Sequence, residues 1–344
     1  MAPKSISRKV IEVAAGILTD AQGRVLLMQR LPGKHLAGLW EFPGGKVEPR
    51  ETIAQALVRE LEEELGIEVL GSAPLISIPW HYPEKSVRLH ALRVTAWKGE
   101  PRAREGHPLR WLAPCDMDAA EMPTADAPIL AALRLPPYYV ISTVDGGRLE
   151  TGLAEVAGGE GNRLTPTLSP PGRRRQARGA WRVREDAATN VLWQLRMPGA
   201  SREELRHMVE RAITAGPRAR ASLLVNHDIE LARELRVGVH LRAAQLRELR
   251  ERPLPRDAWV GASCHDAEEL DFAARLGVDF ATLSPVNATA SHPVAEPLGW
   301  ERFAQWVADA RLPVYALGGI GPDDLDRALA AGAQGVAGIR AFLE

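Results

Sequence analysis

The feature that most constrains this chain is the stretch GGKVEPRETIAQALVRELEEELGI, residues 44–67. It satisfies the pattern G-x5-E-x7-R-E-U-x-E-E-x-G-U, with U apolar, at every position. Gly45, Glu51, Arg59, Glu60, Glu63, Glu64 and Gly66 fill the fixed places, and Leu61 and Ile67 the apolar ones. With each residue type used at about 7%, seven fixed places match by chance roughly once in 10^8 starts. Such a match marks a built site.

The spacing carries its own physics. Thr52 followed three residues later by Gln55 predicts a capped helix start. Ile53, Leu57, Leu61 and Leu65 then recur every four residues, an apolar stripe that seats the helix on a core. Glu60, Glu63 and Glu64 stand at i, i+3 and i+4, which brings them to one face. Most Glu runs are solvated faces. Here the glycines, Arg59 and the apolar register accompany the run, and three neighbouring carboxylates repel one another unless a cation sits among them. Mg²⁺ or Mn²⁺, hard ions that prefer oxygen and bridge phosphates, meet that need. Gly44 and Gly45 allow a tight turn close to a ligand, and Arg59 is placed to pair with the carboxylates. The pattern is the signature of the Nudix hydrolases, which the chain resembles. That resemblance implies hydrolysis of nucleoside diphosphates linked to another group.

A chain of 344 residues is expected to form two domains. Its net charge of −1 gives no field to steer it, so neither a nucleic-acid polymer nor a membrane is an expected partner. No apolar run reaches membrane-spanning length. The basic start MAPKSISRKVIEVAAG passes straight into an alternating strand, unlike a signal peptide. Cys115 and Cys264 lie in different halves without metal-ligand spacing; both are expected to be small buried hydrophobes in a reducing cytoplasm. All six lysines (Lys4, Lys9, Lys34, Lys46, Lys85, Lys98) precede residue 99.

The first domain is expected over residues 1–135 as an α+β fold: strands at 10–17, 24–30 and 86–97, one helix carrying the motif, and a closing helix at 124–133. Over residues 8–134 it resembles the MutT-type 8-oxo-dGTP diphosphatases, through QRLPGKHLAGLWEFPGGK, WKGEPRAREGHPLRWL and MPTADAPIL. The resemblance implies a metal held by Glu60, Glu63, Glu64 and the Gly45 carbonyl, with Glu105 as a further carboxylate on the metal side. It places Arg30 and Lys46 by the phosphates. It also implies a polar residue in MPTADAP that reads the purine edge, usually Asn and here Asp126. An ionised Asp only accepts hydrogen bonds where an amide also donates, which leaves the preference for an oxidised base open.

Leu135-Pro136-Pro137 reads as a short stiff joint. Residues 158–189, GGEGNRLTPTLSPPGRRRQARGAWRVREDAAT, lack periodicity and read as a disordered insertion. With it removed, strands are expected at 139–143, 191–196, 222–226, 238–241, 259–263, 280–284, 314–318 and 335–339, with helices between. That rhythm predicts an α/β TIM barrel over 138–344 whose last helix is missing or very short. These segments resemble thiamine phosphate synthase and its TenI-like relatives through WQLR, LLVN, GVHL, GASCH, LSPVNATASHP, YALGGI and GVAGIRAF. The family's chemistry does not carry over. Pro198 stands for its lysine, and His227 and Gln245 for its two metal-binding acids. Pro285 stands for the histidine of the tautomerase branch. Gly318, Gly319 and Gly338 are left to cradle a phosphate through backbone N–H groups.

The expected activity is an Mg²⁺-dependent nucleoside triphosphate pyrophosphohydrolase, with Mn²⁺ as a substitute, turning 8-oxo-dGTP into 8-oxo-dGMP and pyrophosphate. Glu60, Glu63, Glu64, Glu105 and Arg59 form its catalytic group, and Arg30, Lys46 and Asp126 its substrate contacts. Two other readings stay open: a bifunctional enzyme of thiamine biosynthesis or salvage, and a barrel that binds a thiazole or thiamine phosphate to regulate the first domain.

Overall fold

The computed structural model describes residues 10–33, 35–143, 191–214, 220–289 and 296–339. The chain divides into two compact units, Met1–Arg134 and Leu135–Glu344. The expected insertion at 158–189 and the expected short final helix fall outside the described residues.

In the first unit, β1 (Val10–Ile17) is flanked by an antiparallel β4 (Gly44–Lys46) and a parallel β6 (Ser86–Lys98), with β5 (Glu68–His81) at the edge. A second sheet sets β2 (Val25–Gln29) between β3 (Trp40–Glu41) and β7 (Leu109–Leu112). Successive strand residues face opposite ways, and β1 uses both faces. Ala14 and Leu18 pack with Ala56, Leu57, Leu61 and Leu65 of helix α1 (Ile53–Leu65), while Ala15 and Ile17 pack with Ile129 and Leu130 of α2 (Ala127–Arg134). The capping box is present, with Thr52 accepting from the Gln55 N–H and Gln55 from the Thr52 N–H, and Gly66 closes α1 in the left-handed region at φ 71°. The periodicity argument did not supply β5. It contains Gly71, Pro74 and Pro79 and its register slips at three places; an edge strand tolerates residues that cannot donate to a ladder.

In the second unit eight parallel strands close into a barrel: β8 (Tyr138–Thr143), β9 (Val191–Arg196), β10 (Leu223–Asn226), β11 (Gly238–Leu241), β12 (Val260–Cys264), β13 (Phe280–Leu283), β14 (Val314–Leu317) and β15 (Gly335–Gly338), the last pairing with the first. Helices α3 (Arg202–Thr214), α4 (Ile229–Leu235), α5 (Ala243–Glu248), α6 (Ala267–Leu276), α7 (Gly299–Ala308) and α8 (Leu325–Ala330) fall between strands. Tyr139, Leu192, Leu224, Phe280, Tyr315 and Ala337 fill one interior layer, and Leu135 joins them. The segment read as a joint is therefore part of the barrel. The Leu135 carbonyl accepts from Gln334 Nε2, the Pro136 carbonyl from the Tyr315 hydroxyl and the Pro137 carbonyl from the Val336 N–H.

Cys264 is buried, but Cys115 is exposed, against expectation. It lies in the short 3₁₀ turn Pro114–Asp116, none of whose residues is buried. Among the described residues no helix is long and apolar enough to cross a membrane.

Candidate active site

Gly44 and Gly45 lie where β4 meets β1, opposite Ala15 and Ala14. At Gly44 φ is 141°, and an added Cβ would stand 2.1 Å from the Ala14 carbonyl oxygen. At Gly45 a Cβ would stand 2.3 Å from the Glu60 carboxyl carbon, so the Glu60 carboxylate rests directly on the backbone there. At Gly44 only a glycine admits the approach, and at Gly45 any side chain would push the Glu60 carboxylate away.

Arg59 organises the solvent side of α1. Its Nε and Nη2 bind the two Glu51 oxygens at 3.0 Å each, its Nη1 reaches Glu60 at 2.9 Å and Glu63 at 3.4 Å, and its Nη2 also donates to the Lys46 carbonyl at 3.0 Å. This is the bidentate geometry that suits a guanidinium, and it holds the Glu51 carboxyl below the usual range. Lys46 contributes that carbonyl; its side chain is exposed.

Glu64 faces the other way, with Oε2 accepting from the Gly44 N–H at 2.9 Å. Burial pushes its carboxyl up to about 8, against the lowering effect of that hydrogen bond, and the charges of Glu60, Glu41 and Glu105 add to the rise. Relative to a solvated carboxylate, the ionised form is disfavoured by on the order of 5 kcal/mol. The three motif carboxylates do not converge as the helix spacing predicts. Glu60 and Glu63 are drawn to Arg59 and Glu64 to Gly44, and among the described residues no three His, Cys, Asp or Glu side chains stand close enough together to hold an ion. Like charges separate onto the nearest donors. The half-buried Glu64 carboxylate, with the charges of Glu60, Glu41 and Glu105 in a loose ring around it, nevertheless offers a divalent cation oxygen ligands, excess negative charge and a glycine-lined approach.

Glu41, which sequence reasoning missed, belongs to this ring and to a second group. It is paired with Arg30, whose Nε also donates to the His35 carbonyl at 2.7 Å. Asp126 feels the charges of both Glu41 and Arg30, and Tyr82 feels those of all three. Arg30 is thus tied to Glu41 beside the candidate base-reading residue. Asp126 is 6% exposed. Burial and then the Glu41 charge push its carboxyl well up, outweighing Arg30. That shift favours the uncharged carboxyl, which donates one hydrogen bond and accepts others, as an amide does.

Glu105 stands near enough to raise Glu64 and lies 3.5 Å from His107 Nε2. His107 also escaped the sequence reading. Its burial and its contact with Gln29, 78 positions away, left no signal in the sequence.

In the barrel interior a chain of polar groups runs Ser263–His240–Tyr139–Gln194–Asn226, with steps of 2.9, 2.9, 3.1 and 2.9 Å. One direction satisfies every member: the Ser263 hydroxyl donates to Nε2 of a neutral His240, Nδ1–H to Tyr139, Tyr139 to Gln194, and the Gln194 amide to Asn226. Burial pushes His240 down to about 3, in keeping with the neutral ring. At the mouth, Gln245 Nε2 donates to the His227 carbonyl at 3.1 Å and its Oε1 accepts from the Arg242 N–H at 3.0 Å. Gly318 and Gly319 have φ of 100° and 64°, and Cβ atoms there would stand 2.8 Å from Pro285 Cα and 2.6 Å from the Ala288 carbonyl oxygen. The 285–288 segment is what requires glycine at these two positions.

Comparison with known proteins agrees with both units. The Nudix domain model matches residues 14–132 and the thiamine monophosphate synthase model residues 178–342. The chain is 41% identical to an 8-oxo-dGTP diphosphatase of Haemophilus influenzae, over 37% of this chain and 94% of that protein. It is 43% identical to a CTP pyrophosphohydrolase of Escherichia coli, over 36% of this chain and 91% of that protein. A putative thiamine-phosphate synthase 2 of Aquifex aeolicus is 34% identical over 44% of this chain and 82% of that protein. The fold and the glycine–carboxylate site define a Nudix enzyme joined to a synthase-like barrel. The chain belongs to the Nudix hydrolase family through its first unit and to the thiamine monophosphate synthase family through its second. Nudix hydrolases of the MutT type depend in general on a divalent metal.

Proposed function

We propose that the first unit is an Mg²⁺-dependent nucleoside triphosphate pyrophosphohydrolase that converts 8-oxo-dGTP and water into 8-oxo-dGMP and pyrophosphate. The observation that carries this reading is Glu64: a half-buried carboxylate against the Gly44–Gly45 turn, where burial and the charges of Glu60, Glu41 and Glu105 push it up and only the Gly44 N–H hydrogen bond works against them. The name carried by the Haemophilus influenzae relative supports it. Glu60, Glu63, Glu64, Glu105 and the Gly45 carbonyl are the proposed ligands. The bound cation would offset phosphate charge and lower the pKa of the attacking water. Arg59 fixes the orientation of Glu60 and Glu63, and a carboxylate of the ring, Glu105 among them, accepts the proton as water adds to the β-phosphorus. Arg30 and Lys46 offset phosphate charge, Arg30 through release of Glu41.

A second substrate class is favoured by one observation. An uncharged Asp126 pairs with any base edge that offers one donor beside one acceptor, and cytosine does so through N4 and N3 as well as guanine through N1 and O6. The name of the Escherichia coli relative points the same way. The experiment is a steady-state comparison of 8-oxo-dGTP, dGTP, CTP and thiamine diphosphate with Mg²⁺. A kcat/KM highest for 8-oxo-dGTP supports the first reading, one highest for CTP supports the second, and hydrolysis of thiamine diphosphate alone would replace both.

The barrel is proposed to have lost synthase activity. Joining a pyrimidine pyrophosphate to a thiazole phosphate requires the charge of departing pyrophosphate to be balanced, and Pro198, His227 and Gln245 cannot supply the missing lysine and acids. Gln245 is already committed to His227 and Arg242. Weak binding of a phosphate ester at Gly318, Gly319 and Gly338 is part of the same proposal. Formation of thiamine phosphate by the full chain would overturn it.

A further inference from the structure

Arg30 opens the segment that leads from β2 into β3, and hydrogen bonds close that segment on itself. The Arg30 N–H donates to the Leu39 carbonyl at 2.9 Å, the Gly38 N–H to the Arg30 carbonyl at 3.0 Å, and Gln29 Nε2 to the Gly38 carbonyl at 2.9 Å. The Arg30 guanidinium is anchored in the same segment, with Nε donating to the His35 carbonyl at 2.7 Å. Its Nη1 turns to the Glu41 carboxylate on β3. The guanidinium thus keeps an uncharged anchor whether or not Glu41 is paired with it.

Glu41 has more need of the pair than Arg30 does. Its side chain is 23% exposed and that of Arg30 25%, so both charges are largely out of water. Burial pushes the Glu41 carboxyl up, and the Arg30 charge is the first of those that oppose the rise. Glu64 and Asp126 both feel the Glu41 charge as repulsion. A carboxylate so placed needs a cation to balance it, because breaking a buried pair leaves an uncompensated charge. We propose that Glu41 is an internal stand-in for the substrate's anionic group: it occupies Arg30 in the empty site, a nucleotide phosphate displaces it, and the released carboxylate is left for a divalent cation to balance. This rests on the reading of Arg30 as a phosphate contact. Nucleotide and cation each take one half of the pair, so each strengthens the binding of the other, and by the same factor.

The test is a set of dissociation constants measured by calorimetry on the full chain. The probes are 8-oxo-dGMP and CMP, each in EDTA and in saturating Mn²⁺. Glu41→Gln removes the competing charge and leaves an acceptor for Arg30. In EDTA it is expected to bind nucleotide about 10-fold more tightly than wild type, within the usual range of coupling between sites. In Mn²⁺ that gap is expected to close. Direct contact between cation and phosphate acts in both proteins and drops out of the comparison. Glu41→Ser, too short to reach Arg30, is expected to give the same sign. In an Arg30→Gln background, Glu41→Gln is expected to add nothing. A Glu41 that merely braced Arg30 would give the opposite sign, with weaker binding in both variants.

Weaker or unchanged nucleotide binding by the Glu41 variants in EDTA would therefore overturn the proposal. So would a gap that persists in Mn²⁺, or no binding of either nucleotide by any of these proteins. Wild-type chain that shows the expected pattern yet hydrolyses neither 8-oxo-dGTP nor CTP would sink the pyrophosphohydrolase reading instead and leave the exchange at Arg30 standing.

Discussion

At the scale of the residue, the proposed site turns on two acids, Glu64 and Asp126, whose carboxyls burial pushes upward. Glu64 is costly to ionise without a counterion. Glu64→Gln removes that cost and keeps an oxygen to accept from the Gly44 N–H. We expect turnover to fall by at least about 100-fold, as for loss of a group acting on the reacting phosphates. Thermal stability without metal is expected to stay equal or rise, and the stabilisation given by Mg²⁺ to disappear. Calorimetry with and without Mg²⁺ beside steady-state kinetics reads all three, and near-normal turnover would remove Glu64 from the site. At Asp126 burial and the Glu41 charge likewise push toward the uncharged form. Asp126→Asn presents the same donor and acceptor and is expected to keep kcat/KM within a few-fold. Asp126→Leu leaves the base edge unpaired and should lose about 10- to 100-fold. Equal losses in the two variants would mean that the carboxylate charge matters, contrary to the neutral form.

At the scale of the element, α1 shows local and distant control side by side. Its start is set by the Thr52–Gln55 capping box and its end by Gly66. Thr52→Ala should therefore cost about 1 kcal/mol, measurable as a drop in the urea midpoint of the first unit, and an unchanged midpoint would show the cap to be redundant. The barrel strands give a second element-scale expectation through His240. Its folded pKa is pushed down to about 3 from an ordinary 6.5, so between these values the unfolded chain binds more protons than the folded one. Stability held above pH 6.5 is lost as pH falls toward 3, by several kcal/mol in all. Hydrogen exchange of β11 and β12 amides should accelerate, relative to global controls, between pH 6 and about 4. His240→Gln should flatten that dependence, and an unchanged acid limb in the variant would assign it to other groups.

At the scale of the whole molecule, the two units are unequal in how far their sites follow from pattern. The motif, its helix, the helix's N-terminal cap and all eight barrel strands were legible in the sequence, because periodicity, capping and turn chemistry act over a few residues. The strands expected at 139–143, 280–284 and 314–318 lie within two residues of those observed at Tyr138–Thr143, Phe280–Leu283 and Val314–Leu317. The edge strand Glu68–His81 was not legible, since its prolines argue locally against the pairing that β6 imposes. Nor were the burial of Asp126, the pairing of Arg30 with Glu41, the contact of His107 with Gln29, or the His240 chain. Each depends on burial and on charges brought together from distant positions, such as Gln29 with His107 and Tyr139 with His240. The sequence by itself determined which residues could do chemistry and on which element they sit. Only the tertiary structure decided which of them are charged and which face one another, because solvation and Coulomb energies depend on distance in space and not along the chain.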